Sequence, residues 1–329
     1  MATLKDVAQR CGVSLSTVSI VARGLGDTRK ISGQTQDRVR AAMCELGYAP
    51  NAAARSLRGG TGCQTLAVFW AVDHGESALG RFLGGLYAVI EKRQLEWDVT
   101  VAPYRAGSLS GMASLAGAPT FDLAIIANPG DVDLRFLAAK PPLAPAVLYG
   151  ARLDGMASVA VDEAEVGRLA ARLVGESAAA QSGGEALCLA APASFWGAQA
   201  REQAFIDELA EKGLRARRAS LTEISAAAGC DVVLSLGALG GLSCVFAPAD
   251  NVALGALHAL RTRGADVPAR AGVLAVGAGV REYAEHSFPP LTCVEIPVEQ
   301  MAADCVDLLR AHSTEERRVE PKVARRASL

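Results

Sequence analysis

Residues 4–22, LKDVAQRCGVSLSTVSIVA, hold a pattern that few local folds satisfy. Leu4, Val7, Ala8 and Cys11 recur at helical spacing and give residues 4–11 one apolar stripe. Gly12 permits the positive φ that ends such a helix, and Val13 plugs the turn. Ser14 is a natural N-cap for a second helix running to Ala22. Val18 and Val21 then face back toward Ala8, whose small side chain lets the two helices cross closely. This is helix-turn-helix spacing, and it leaves Leu15, Ser16, Thr17 and Ser19 outward and free to enter a major groove. A third helix, Thr35 to Leu46, supplies Val39, Ala42, Met43 and Leu46 to cover the other two, with Ser32 capping the loop before it.

A different device follows. Asn51 can cap a helix made of Ala52, Ala53, Ala54, Arg55, Ser56, Leu57 and Arg58, which Gly59 and Gly60 end. Helices shorter than about a dozen residues are marginal in water because nucleation is costly. This one is therefore expected to order only when a minor groove and a twin helix from a second subunit hold it. Leu57 would be an apolar wedge between base steps, with Arg55 and Arg58 on phosphates.

Together these segments resemble the lactose/galactose repressor family of bacterial transcription regulators. Similarity continues in VAVDEAEVGRLAARLV near residue 161, REQAFIDELAEKG near 201, DNVALGALHALRTRGADVP near 250 and PPLTCVEIPVEQMA near 289. The resemblance implies a homodimeric repressor that binds double-stranded operator DNA and answers to a small-molecule effector, sugar-like or less polar. Its core would be two α/β subdomains similar to periplasmic sugar-binding proteins. The implied domains are a head at 1–50, a hinge helix and linker at 51–60, and an effector-binding and dimerisation core at 61–329. Within the core, subdomain 1 would span 61–162 and 294–318, and subdomain 2 would span 163–293 and 319–329. The DNA contacts so implied are Thr3, Ser14, Leu15, Ser16, Thr17, Ser19, Ile20 and Arg23 in the head, and Asn51, Ala54, Arg55, Leu57 and Arg58 in the hinge. Two heads would read half-sites in successive major grooves about 34 Å apart, and ligand in the cleft would change the separation of the hinges.

Charge placement agrees with a nucleic-acid partner at one end. Residues 1–60 carry nine basic side chains against four acidic ones, so from a total of −2 the head holds +5 and the remainder −7. The eight cysteines are scattered with no ligand spacing and read as small apolar fillers of a reduced, cytoplasmic protein with no metal and no cofactor. The start MATLKDVAQR lacks a secretory apolar run, and no stretch of about eighteen apolar residues suggests a membrane span. There is no P-loop, no GxGxxG after a strand, no GxSxG and no His-centred triad spacing, which argues against an enzyme. Two alternatives stay open: a regulator with a degenerate pocket and no effector response, and a solute-binding protein without a DNA role.

After residue 62 the pattern alternates. Apolar runs at 65–70, 97–104, 121–128 and 145–150, then at 186–192, 231–237 and 272–278, read as strands. Amphipathic stretches at 82–92, 199–212 and 251–263 read as helices. Short apolar strands separated by helices indicate two doubly wound parallel sheets, with a cleft where their carboxyl ends face. Cleft candidates are Asp73, Trp196, Arg201 and Asp250. By resemblance Arg201 faces an effector, although a surface ion pair is equally available to it; Asp250 reads as a helix N-cap; Phe195 and Trp196 either stack on a ligand or pack the wall. Four departures from the family are visible: Gly150–Ala151 where an acid or amide and an arginine are common, Gly277–Ala278–Gly279–Val280 in place of Gly-(Tyr/Phe)-Asp-Asp, Ala249 in place of asparagine, and Ile20 in place of arginine. The first three remove polar groups from the expected pocket. The last exchanges a guanine reader for a side chain that can press on a thymine methyl, so the operator is expected to differ from the family's common consensus.

Overall fold

The computed structural model describes residues 4–22, 31–46, 63–74, 76–116, 119–177, 183–192, 195, 197–239 and 241–329. The head is three helices: α1 (Leu4–Cys11), α2 (Leu15–Ala22) and α3 (Gly33–Glu45). Gly12 takes φ +65°, and the Val13 amide closes the turn on the Ala8 carbonyl at 3.2 Å. Ser14 caps α2 by accepting the Thr17 amide at 3.1 Å, and Ser32 accepts the Thr35 amide at 3.4 Å at the start of α3. Val7, Val18, Val21, Val39 and Ala42 form the buried core, and Arg10 on α1 binds Glu45 on α3 across the surface.

The core follows in chain order with β1 (Gln64–Ala71), α4 (Glu76–Lys92), β2 (Trp97–Tyr104), the single turn α5 (Ala113–Ala116), β3 (Leu123–Ala127), α6 (Asp131–Ala139), β4 (Ala146–Tyr149) and β5 (Ala157–Ala160). Next come α7 (Glu163–Gly175), β6 (Glu185–Ala190), α8 (Ala198–Glu211), β7 (Arg215–Ser220), α9 (Ala226–Ser235), β8 (Leu242–Ala247) and α10 (Asp250–Thr262). The chain closes with β9 (Gly272–Gly277), α11 (Arg281–Glu285), β10 (Thr292–Glu295), α12 (Val298–Ala311), β11 (Glu316–Arg318) and β12 (Lys322–Ala324).

Among the described residues these strands make two six-stranded sheets, ordered β11-β5-β4-β3-β1-β2 and β12-β10-β9-β8-β6-β7. Every pairing is parallel except β12 on β10. The central strands β3 and β8 are buried along their whole length, as strands covered on both faces must be. The chain leaves the first sheet after β5, returns to it after β10 for α12 and β11, and ends in the second with β12. One apolar cluster joins Trp70, Phe82 and Tyr149 of the first unit to Phe205, Phe246 and Val294 of the second.

One expected strand is corrected. Residues 231–237 are not a strand: Asp231 to Ser235 are the end of α9 and Leu236 is its C-cap, the N-cap Ser225 accepts the Ala228 amide at 3.1 Å, and the strand lies later, at β8. A short apolar run carries no period that separates a buried helix from a buried strand. What decides it is contact with α10. A Cβ at Gly229 would overlap the Val252 carbonyl oxygen, and one at Gly255 the Ala226 carbonyl oxygen, so the two helices touch backbone to backbone. Gly255→Ala is therefore expected to lower stability by about 1–3 kcal/mol through overpacking. Gly80→Ala, on α4 with open space around the new methyl, is expected to raise it by about 0.4–1 kcal/mol. Urea unfolding midpoints of the two variants check both.

Candidate nucleic-acid interface and inter-sheet cleft

At 3.6 residues per turn, burial of Val18 and Val21 turns Ser16 and Ile20 to the opposite side of α2, flanked by Leu15 and Ser19. Leu15 is 48% exposed although apolar. The first turn carries a hydroxyl cluster: Ser14 Oγ shares hydrogen bonds with Ser16 Oγ at 2.7 Å and Thr17 Oγ1 at 2.8 Å. The arc is therefore preformed, with Lys5 and Arg38 exposed elsewhere on the head. Thr3, Arg23, Asn51, Ala54, Arg55, Leu57 and Arg58, named from the sequence for DNA contact, lie outside the described residues, as does Trp196.

The carboxyl ends of both sheets do face one cleft. On the first unit's side, Asp73 fastens loops: its Oδ2 accepts the Ala106 amide at 2.7 Å. Asp133, which the sequence reading missed, is 1% exposed and accepts the amides of Gly107 (2.7 Å), Leu109 (2.9 Å) and Gly130 (3.1 Å). Its signal was its place in the first turn of α6, where a carboxylate can reach back to the N-cap amide. At the ends of β3 and β4, Asn128 stands at φ +53° and Gly150 at φ +78°. The Asn128 amide oxygen occupies the place a side chain at position 150 would take. The polar group missing from 150 is thus replaced from 128.

On the second unit's side, α7 and α8 cross so closely that a Cβ at Gly167 would overlap the Arg201 carbonyl oxygen. One turn before Gly167, Glu163 meets the Arg201 guanidinium. Its Oε2 accepts from Nε at 2.8 Å and from Nη2 at 2.6 Å, while Nη1 donates to the Pro248 carbonyl at 3.2 Å. Arg201 is 4% exposed, so the ion pair open to it is present, but buried rather than on the surface. Asp250 is also corrected: Ala249 is the N-cap of α10, and Asp250 is the first helical residue. Its Oδ1 accepts the Asn251 amide at 2.9 Å and its Oδ2 the Gly279 amide at 3.0 Å, tying α10 to the loop after β9. Burial pushes the Asp250 carboxyl above its usual range, against the two amides that favour its charged form. Within the first unit, Arg81 on α4 makes a bidentate pair with Glu299 on α12, 2.8 Å to each oxygen, and its Nη1 reaches across to the Gly277 carbonyl at the end of β9 in the second, 3.4 Å away. Burial raises the Glu299 carboxyl, but the Arg81 hydrogen bonds outweigh it and hold the group below the usual carboxylate range.

Two cavities result. The inner one, lined by Ala78, Arg201, Asp250, Ala278 and Ile296, has only about 50 Å³. The outer one, bounded by Gly107, Gly130, Arg135, Phe195 and Gln199, has about 550 Å³, within the range of small-molecule sites. Among the described residues no helix is long and apolar enough to cross a membrane.

A helix-turn-helix head followed by two doubly wound units around a cleft defines a class: DNA-binding regulators built on a binding-protein core. Residues 3–51 match the bacterial regulatory proteins of the lacI family, and residues 180–329 match the periplasmic binding protein-like domain. The chain is 26% identical to the HTH-type transcriptional regulator GalS of Salmonella typhimurium over 313 residues, 94% of this chain and 89% of that one. Over 58 residues, 18% of this chain and 16% of the relative, it is 53% identical to the HTH-type transcriptional repressor PurR of Pectobacterium carotovorum. Its fold is similar to that of the lac repressor dimer bound to operator and the anti-inducer ONPF, with TM-score 0.70, 22% identity, and coverage of 99% of this chain and 98% of that one. The chain thus joins a DNA-binding domain of the lacI family type at 3–51 to a periplasmic binding protein-like domain at 180–329.

Glu163→Ala would leave Arg201 buried without its counter-charge, and a loss of about 3–5 kcal/mol in unfolding free energy is expected. The paired substitution Glu163→Leu with Arg201→Met is expected to recover most of that loss in the same denaturation experiment, because neither charge is then stranded.

Proposed function

We propose that this chain is a sequence-specific, DNA-binding transcriptional repressor that works as a cytoplasmic homodimer and acts by binding, with no catalysis and no cofactor. The observation that carries the reading is the head, in which buried Val18 and Val21 fix α2 so that Leu15, Ser16, Ser19 and Ile20 form its outward arc, the arc that a helix-turn-helix unit would set into a major groove. The GalS and PurR relatives are transcription regulators by name, and the lac repressor of similar fold is a dimer on operator DNA. We extend both properties to this protein. The hinge residues Asn51, Ala54, Arg55, Leu57 and Arg58 would then lie in the minor groove at the centre of the site, with Thr3 and Arg23 beside the reading helix. In the core we assign 61–162 and 296–318 to one subdomain and 163–295 and 319–329 to the other, with α12 packed on α4 and α7 on α8 as support; the return expected at 294 moves to 296 because β10 pairs along its whole length in the second sheet.

The effector reading follows from the cleft. The inner cavity is too small for a sugar, and Arg201 and Asp250 already bind Glu163, Pro248 and Gly279. We assign the effector to the outer cavity, where Phe195 offers a ring and Arg135 a charge, and we expect a molecule less hydroxylated than a hexose. A second reading, a regulator without effector response, is favoured by the Glu163–Arg201 pair, which fills the arginine's hydrogen-bonding directions from within.

Operator sites selected from random duplexes test the core of the proposal. Affinity should fall steeply with salt as phosphate-bound counterions are released, and deletion of residues 1–60 should abolish it. Full-length protein that ignores every duplex at low ionic strength defeats the reading. A thermal-shift screen of sugars, sugar acids and small aromatic molecules, run with and without operator, separates the two effector readings. A ligand that stabilises the core and changes operator affinity by about five- to 150-fold supports the first, whereas silence across the panel supports the second.

A further inference from the structure

The reading helix has an unusual chemical make-up. Residues 14–22, SLSTVSIVA, include no lysine, arginine, histidine, asparagine, glutamine, aspartate or glutamate. Each side chain that makes a bidentate or charge-assisted contact to a base edge in the major groove is therefore absent from α2. What remains on the outward arc is two hydroxyls, Ser16 and Ser19, and two branched apolar side chains, Leu15 and Ile20. A hydroxyl can donate or accept and so distinguishes bases poorly. Those of Ser14, Ser16 and Thr17 are in addition turned toward one another at 2.7 and 2.8 Å. Leu15, by contrast, is 48% exposed on a head whose Val7, Val18, Val21 and Val39 are buried, and the Ser14 cap holds it at the first turn, the part of the helix that reaches deepest into the groove. Among the four bases only thymine shows an apolar group in the major groove, its 5-methyl.

We propose that α2 reads its half-site through thymine methyls, with Leu15 and Ile20 as the specificity-determining side chains. This inference rests on the DNA-binding reading above and adds to it a class of base and the two residues that recognise it. Two thymines per half-site are the expected targets, one for each side chain. They need not be neighbours, because Leu15 lies at the edge of the arc and Ile20 one turn further along it. The hydroxyls and the basic side chains of the head would hold register and affinity without choosing a base.

The test changes the DNA by single methyl groups and leaves the protein intact. Starting from a selected operator, each thymine of a half-site is replaced in turn by deoxyuridine, which keeps pairing and every hydrogen-bonding edge. Binding of the full-length protein is expected to weaken at one or two positions by about fourfold each, the equivalent of about 0.8 kcal/mol for one buried methyl-sized group. Leu15→Ala and Ile20→Ala are each expected to erase the thymine–uracil difference at one position and leave the other unchanged. Replacing a cytosine at such a position in a weak site by 5-methylcytosine is expected to strengthen binding. If uracil is tolerated everywhere in an operator that still binds tightly, or if 7-deazaguanine in place of a guanine is what weakens binding, methyl readout is overturned while the DNA-binding reading stands. If no duplex is bound at all, both fail together.

Discussion

The Glu163–Arg201 pair is the interaction around which the core is arranged. Glu163 opens the helix that follows the first passage of the chain between the sheets, and Arg201 stands on the helix that walls the second unit's side of the cleft. Their side chains are 14% and 5% exposed, so the attraction acts in a medium far less screening than water. Such a pair gains little net free energy once desolvation is counted, yet it tolerates few geometries. It fixes the angle of the first passage, the crossing of α7 on α8, and the closure of the inner cavity. The Arg81–Glu299 clamp does the equivalent at the return passage before α12, where one guanidinium spans a helix of the first unit, the helix after the crossing and a carbonyl at the end of β9. Polar groups that a ligand would otherwise meet are thereby spent on fixing α7 against α8 and on tying α4 to the end of β9.

Much of this was legible in the residues alone because it is local. The head helices follow from apolar spacing, a glycine in the left-handed region and hydroxyl caps, and α1 and α2 end where that pattern says they should. The outer strands of the cleft, such as β2, were equally plain from runs bounded by turns. The 231–237 run was misread because hydrophobicity without a period is silent about helix or strand, and the arbiter is a glycine contact with a helix some twenty residues later. β5, β10, β11 and β12 went unlisted because strands of three or four residues leave little pattern, and β7 because RARRAS, an exposed edge strand, has no apolar run.

The cleft was less legible for the same reason: its chemistry is made between distant segments. Nothing near Asp133 announces that it will gather three amides from two loops, and nothing near Asp250 announces Gly279. Arg201 was visible as a candidate, but its partner stands 38 residues away. The family resemblance pointed to these helices but not to the bonds already made there, because similarity transmits position more faithfully than it transmits who is already bonded to whom.

The Asn128–Gly150 arrangement carries an evolutionary consequence. One amide now stands where two neighbouring strand ends would each contribute a side chain, so the two codons are not independent. Any residue larger than glycine at 150 evicts the asparagine from its seat and must itself hold φ +78°, so a side chain enters there only if the asparagine goes and the backbone turns with it. Lineages descending from this protein should therefore change these positions together or hold both, a covariation imposed by a single shared volume on the cleft floor.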